Sequence, residues 1–221
     1  PLSYTFNGVT NATGGFTGIL AGAGYAWSIT DANSCGPVTG TLPVTQPTAV
    51  TGSASVTSPI LCYGGTATVT LTGAGGTAPL SYTFNGVTNG TGVFAGIPAG
   101  AGYSWSVTDA NGCGPVTGTL LVTQPTAVTG SASITTPILC NGGSATVTMT
   151  GSGGTAPLSY TFNGVTNTTG VFSGIPAGAG YAWSITDANS CGPVTGTLPV
   201  TQPAAITGSA SVTLPIQCNG G

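Results

Sequence analysis

The chain of 221 residues has no lysine, arginine or histidine and only three acidic side chains, Asp31, Asp109 and Asp187. With so little to titrate near neutral pH, it offers no general acid–base pair and no activated nucleophile, so it is expected not to be an enzyme and to need no cofactor. Nucleic acid is excluded as a partner because nothing could neutralise phosphate, and isopeptide cross-linking is excluded because it needs lysine. Hydropathy is positive on average, at +0.38. No apolar run approaches the roughly 18 residues of a membrane-spanning helix, so direct insertion of this region into a bilayer is not expected. Apolar residues alternate instead with Thr and Ser, and 39 Gly and 16 Pro interrupt them, which is an all-β composition.

The sequence PLSYTFNGVTN starts at Pro1, Pro79 and Pro157, and so sets a repeat of 78 residues. That period is too long for a solenoid turn or a propeller blade and suits one small β-sandwich per repeat. Pro1 lies within a repeat and no leader precedes it, so the sequence reads as a window of a longer chain whose targeting signals lie elsewhere. Residues 1–48 form a partial repeat lacking its first two strands, 49–126 and 127–204 form complete repeats, and 205–221 open the next.

From Ala49 the elements follow in order. Val50, Gly52, Ala54 and Val56 share one face of a first strand, with Thr51, Ser53 and Ser55 on the other. After Cys62-Tyr63-Gly64-Gly65, a strand from Thr66 to Thr72 turns Ala67, Val69 and Leu71 inward. A Gly-rich loop from Gly73 to Ala78 leads to inward Leu80, Tyr82 and Phe84, and Asn85-Gly86 provides a two-residue hairpin turn. A short return strand and one carrying Val93 and Ile97 come next. Tyr103, Trp105 and Val107 line the sixth strand, Asp109-Ala110-Asn111-Gly112 turns the chain, and Val116, Gly118, Leu120 and Val122 line the seventh. Seven short strands with period-two alternation predict a sandwich. The stretch Ile97-Pro98-Ala99-Gly100-Ala101-Gly102-Tyr103 resembles the tyrosine corner of immunoglobulin-like domains, which places Tyr4, Phe6, Tyr25, Trp27 and their copies in cores rather than on a sugar-binding platform. The expected fold class is all-β: tandem immunoglobulin-like sandwiches whose four-residue joints, such as Thr45-Gln46-Pro47-Thr48, make a semi-rigid rod.

Six cysteines occupy two phases of the repeat, Cys35, Cys113 and Cys191 in one and Cys62, Cys140 and Cys218 in the other. Without His and without paired CxxC spacing they read as disulfides rather than a zinc site. Two pairings are open. One lies within each repeat, Cys62–Cys113 and Cys140–Cys191. The other is a staple between neighbouring repeats, Cys62–Cys191, with the remaining cysteines bonded beyond this window; it is favoured if the seven-strand topology puts the two phases at opposite poles. Each Asp in T-D-A-N is expected to accept backbone N–H groups in a turn, since one carboxylate per repeat is too few for calcium. Sequons at Asn11, Asn89 and Asn167 are candidate sites for covalent glycans, as are the outward Thr hydroxyls. The row Thr66, Thr68, Thr70 and Thr72 would also suit an ice-binding face, although Thr is ordinary on strands.

The sequences C-[YN]-G-G-[TS]-A-T-V-T-[LM]-T-G-x-G-G-T-A-P-L-S-Y, then A-G-x-G-Y-x-W-S-[VI]-T-D-A-N-x-C and V-T-Q-P, resemble the SprB-type repeat of very large surface adhesins of gliding Bacteroidetes. The resemblance covers the whole chain. It implies secretion, display on a bacterial cell surface, and a role in adhesion or gliding. Members of that family ordinarily carry more charge. The lack of it here points to a surface covered by self-association or by sugars, because bare edge strands are normally guarded by charge. The expected function is therefore the structural repeat region of an extracellular filament or sheath. The alternative is the stalk of an adhesin that binds glycans or surfaces.

Overall fold

The computed structural model describes residues 1–219. The described residues form strands, turns and loops without a helix. The first repeat supplies β1 (Leu2–Phe6), β2 (Val9–Asn11), β3 (Gly22–Asp31) and β4 (Val38–Val44). The second supplies β5 (Thr51–Ser58), β6 (Ala67–Ala74), β7 (Ser81–Phe84), β8 (Val87–Asn89), β9 (Val93–Ile97), β10 (Gly100–Thr108) and β11 (Val116–Val122). The third supplies β12 (Thr129–Thr136), β13 (Ala145–Ser152), β14 (Ser159–Phe162), β15 (Val165–Asn167), β16 (Val171–Ile175), β17 (Gly178–Thr186) and β18 (Val194–Val200). Two complete sets of seven strands match the expected count.

Each complete set divides into a three-stranded and a four-stranded sheet, ordered β5-β6-β9 with β11-β10-β7-β8, and β12-β13-β16 with β15-β14-β17-β18. The first repeat has one four-stranded sheet, β2-β1-β3-β4. These are tandem immunoglobulin-like β-sandwiches. The hairpin turn is formed as expected: Asn85 and Gly86 have φ of 46° and 81°, the left-handed pair that matches the twist of the flanking strands.

The chain clusters into two compact units, one of residues 1–54, 71–92 and 104–118, the other of 55–70, 93–103 and 119–221. The middle repeat contributes to both. In the second unit, the third repeat shows how alternation becomes a core. Ala145, Val147 and Met149 of β13 face Phe162, Ile185 and Val200 of the opposite sheet, with Val128, Ala132 and Ile134 packed against them. Val147 and Ile185 are fully buried, and burial of each such side chain contributes about 1.5–3 kcal/mol. In the first unit, Phe84 and Val107 are equally enclosed. In the strand that carries Val93 and Ile97, it is Phe94 that is buried, whereas Val93 is 49% exposed.

Two local devices recur. Tyr25, Tyr103 and Tyr181 donate their hydroxyls to the carbonyls of Leu20, Pro98 and Pro176 at 3.1, 3.2 and 3.1 Å, the upstream bond expected of a tyrosine corner. Trp183 lies flat over Gly196, where a Cβ would fall 2.4 Å from the indole; Trp27 and Trp105 cover Gly40 and Gly118 in the same way.

Candidate functional site

The chemistry of this chain is concentrated in the cysteines and in the turns that carry them. In the turn between β17 and β18, Asp187 is 4% exposed. Its Oδ1 accepts the backbone N–H groups of Asn189 at 2.9 Å and Cys191 at 2.8 Å, and its Oδ2 that of Thr155 at 2.8 Å. These donors, Thr155 foremost, hold its pKa below the ordinary carboxylate value against the opposing effect of burial. Asp109 repeats the arrangement with Thr77, Asn111 and Cys113 at 2.9, 3.0 and 2.7 Å, and its pKa is likewise lowered, first by the Thr77 N–H. Asp31 has only Asn33 and Cys35, at 3.0 and 2.9 Å, and is lowered chiefly by the Cys35 N–H. The aspartates are thus fixed turn acceptors, as the sequence led us to expect. Among the described residues no cluster of His, Cys, Asp or Glu could hold a metal ion.

Cys62 is bonded to Cys191, with Cα atoms 5.4 Å apart. Within the second unit, Cys62 and Tyr63 line one cleft together with Val128, Gly154, Asp187, Cys191 and Pro193. The Leu61 carbonyl sits 3.3 Å from the Cys191 sulfur and accepts a long bond, 3.4 Å, from Asn189 Nδ2. Cys191 is 8% exposed as a result. Cys35, Cys113, Cys140 and Cys218 are exposed free thiols. The within-repeat alternative, Cys62–Cys113 and Cys140–Cys191, is therefore not the pairing formed. Its obstacle is topological. Cys140 follows the end of β12 whereas Cys191 follows the end of β17, and the start of β12 at Gly130 lies against Ile185 near that end of β17. The two cysteines thus sit at opposite ends of strands about 25 Å long.

Two residues that sequence reading passed over complete the junction. Gln124 Oε1 accepts the Gly64 N–H at 2.8 Å, and Gln202 Oε1 accepts that of Gly142 at 2.8 Å. Each glutamine belongs to a T-Q-P joint and ties the end of its repeat to that repeat's own cysteine loop. The constant interval between the two motifs was the available signal.

Each sequon asparagine is folded into its own loop. Asn11 Oδ1 accepts from Thr13 N at 3.0 Å and Gly14 N at 2.7 Å, while its Nδ2 donates to Gly15 O at 2.9 Å. Asn167 does the same with Thr169, Gly170 and Val171, and Asn89 Oδ1 accepts from Thr91 and Gly92. In Asn11 and Asn167 the nitrogen that would carry a sugar is already donating to a carbonyl. The outward hydroxyls are tied across strands, Ser53 to Thr72 at 2.8 Å and Thr57 to Thr70 at 2.9 Å.

No family model matches this chain, and no curated protein matches it in sequence. Similar solved structures include the three N-terminal domains of the bacteriophage RB49 highly immunogenic outer capsid protein, 16% identical with a TM-score of 0.40 over 70% of this chain and 59% of that one. Extracellular domains 3–5 of Drosophila OTK are 11% identical, TM-score 0.36, over 92% and 85%. A Dscam isoform structure is 13% identical, TM-score 0.33, over 81% and 54%. The chain thus spans about 59% of the phage protein structure and 54% of the Dscam one.

Proposed function

We propose that this chain is a non-catalytic structural repeat region of an extracellular filament or sheath. One observation carries the reading: the sheet edges and exposed loops bear apolar and hydroxyl side chains where a soluble, solitary domain carries charge. Val9, Val87 and Val165 are each 63% exposed on the edge strands β2, β8 and β15. Unguarded edges of this kind are templates for lateral association. The few carboxylates are held in turns, Asp109 and Asp187 with little exposure. The Cys62–Cys191 bond supports an oxidising, extracellular setting. Self-association of like chains covers the apolar edges without any need for ion pairs, so assembly is expected to be nearly indifferent to salt.

The resemblance to SprB-type repeats favours a second reading, the stalk of a bacterial surface adhesin that contacts glycans or surfaces through its loops. Electron microscopy of the native material separates the two. Ordered multi-chain filaments that persist in high salt are expected; isolated stalks with a distinct tip domain would replace the first reading by the second.

A further inference from the structure

The surroundings of the Cys62–Cys191 bond bear on how it can be broken. Both cysteines line a cleft of about 290 Å³, together with Tyr63, Val128, Asp187 and Pro193, all within the second unit. The two halves of the bond are not equally open. Cys62 is half-buried, whereas Cys191 is 8% exposed and has the Leu61 carbonyl 3.3 Å from its sulfur. A small thiol that enters the cleft finds the Cys62 side the more accessible.

Asp187 supplies the charge of this cleft. Its Oδ1 accepts the Cys191 N–H at 2.8 Å, which keeps the carboxylate close to that residue's sulfur. In the same turn of the second repeat, the Cys113 side chain itself hydrogen-bonds to the Asp109 carboxylate. Asp187 is held in place by its backbone donors and by the close approach of Gly154, where a Cβ would fall 2.8 Å from Oδ2. The chain has no lysine, arginine or histidine to offset the charge. In thiol–disulfide exchange the attacking and departing sulfurs are both anionic, and a fixed negative charge beside them opposes each.

We propose that Asp187 guards the Cys62–Cys191 bond against thiols: its carboxylate repels the incoming thiolate and disfavours charge on the departing Cys191 sulfur, so the bond opens slowly and through Cys62. The reductant is a low-molecular-weight thiol. Its thiolate attacks the Cys62 sulfur and forms a mixed disulfide there. The bond between the cysteines breaks, and its electron pair leaves on Cys191, which takes a proton from water. A second thiolate attacks the reductant's sulfur in the mixed disulfide and releases Cys62, which is protonated in turn. Two thiols are oxidised to one disulfide, and two cysteines are reduced. Asp187 takes no part in these bond changes and acts only through its charge and position. The turn T-D-A-N-x-C then does more than reverse the chain, since it makes the joint between neighbouring repeats hard to undo chemically. This holds for a filament and for a stalk alike.

The test caps the exposed thiols with iodoacetamide and then follows reduction of the folded chain by three thiols of similar size: cationic cysteamine, neutral mercaptoethanol and anionic mercaptoethanesulfonate. Each rate is expressed per thiolate and relative to the same chain unfolded in urea. The wild type is expected to react fastest with cysteamine and slowest with mercaptoethanesulfonate. Mass spectrometry of acid-quenched samples should find the first adduct on Cys62. Asp187→Asn, which keeps an oxygen for the backbone donors, should speed the anionic thiol about tenfold and cysteamine about threefold. Asn189→Ala, which removes a bond to the Leu61 carbonyl without altering charge, should speed all three alike. A wild type indifferent to thiol charge, a first adduct on Cys191, or an Asp187→Asn chain whose three rates are unchanged or equally raised would each overturn the proposal. The wild-type charge series and the adduct site decide it even if the variant fails to fold.

Discussion

Residues 1–48 and 157–204 differ in sequence at little more than Ala12/Thr168, Gly15/Val171, Thr17/Ser173 and Leu20/Pro176, yet they reach different states. Their four-stranded sheets share a register, with Tyr4 opposite Asn11 as Tyr160 is opposite Asn167, and Trp27 opposite Gly40 as Trp183 is opposite Gly196. Burial separates them. Ile185 and Val200 are enclosed where Ile29 and Val44 are half-exposed, and residues 15–19 form no strand where Val171–Ile175 forms β16. Because β16 pairs with β13, and residues 1–48 carry no counterpart of β13, the fifth strand has nothing to bond. The hairpins and the tyrosine corner are thus encoded locally, whereas core and edge pairing depend on the second sheet.

The strongest way to break the comparison is through the cysteines. Cys191→Ser should cost about 5 kcal/mol, the chain-entropy value for so long a closed loop, while Cys35→Ser should change almost nothing; urea denaturation followed by hydrogen exchange of the separate sheets would show both. Next comes the core. Ile185→Ala is expected to cost about 3 kcal/mol, and Ile29→Ala about 1 kcal/mol, because a half-exposed site leaves little cavity. Equal losses would mean that the first sheet is covered in solution.

Other changes should affect the two regions alike and so sharpen the contrast. Gly40→Ala and Gly196→Ala each drive a methyl into an indole and should cost about 2 kcal/mol apiece. The smallest effect is that of acid. The folded-state pKa values of Asp109 and Asp187 are lowered, so their stabilisation is complete above the ordinary carboxylate pKa and is lost as pH falls through the folded values. A pH titration of stability should therefore be flat above about pH 5 and fall below about 4. Asp187→Asn should flatten that fall more than Asp31→Asn, since Asp31 lacks the donor that Thr155 supplies to Asp187.

Alternation alone revealed the inward faces of β6, β7, β10 and β11, because these strands are bounded by unmistakable turns and each has one wet face. It did not reveal Phe94. The preceding Asn89 loop and Gly92, whose φ is 73°, reset the phase of the strand. The aspartate turns were legible from T-D-A-N, although the reach of Asp187 to Thr155 was not, since it depends on a loop 32 residues away. The staple could be posed but not decided from sequence, because it turns on which strand ends share a pole. Gln124 was missed because a polar residue in a joint has no periodicity to distinguish it.

The Cys62–Cys191 bond also determines how the molecule carries load. When its ends are pulled, tension arriving at Cys62 passes directly through the sulfur atoms to Cys191, and the 129 residues of separation between them are shielded. About 430 Å of chain that would otherwise pay out on unravelling is held back. Until a reductant cuts the bond, those residues cannot add to the extension, so the redox state of the surroundings sets whether the chain between Cys62 and Cys191 can lengthen.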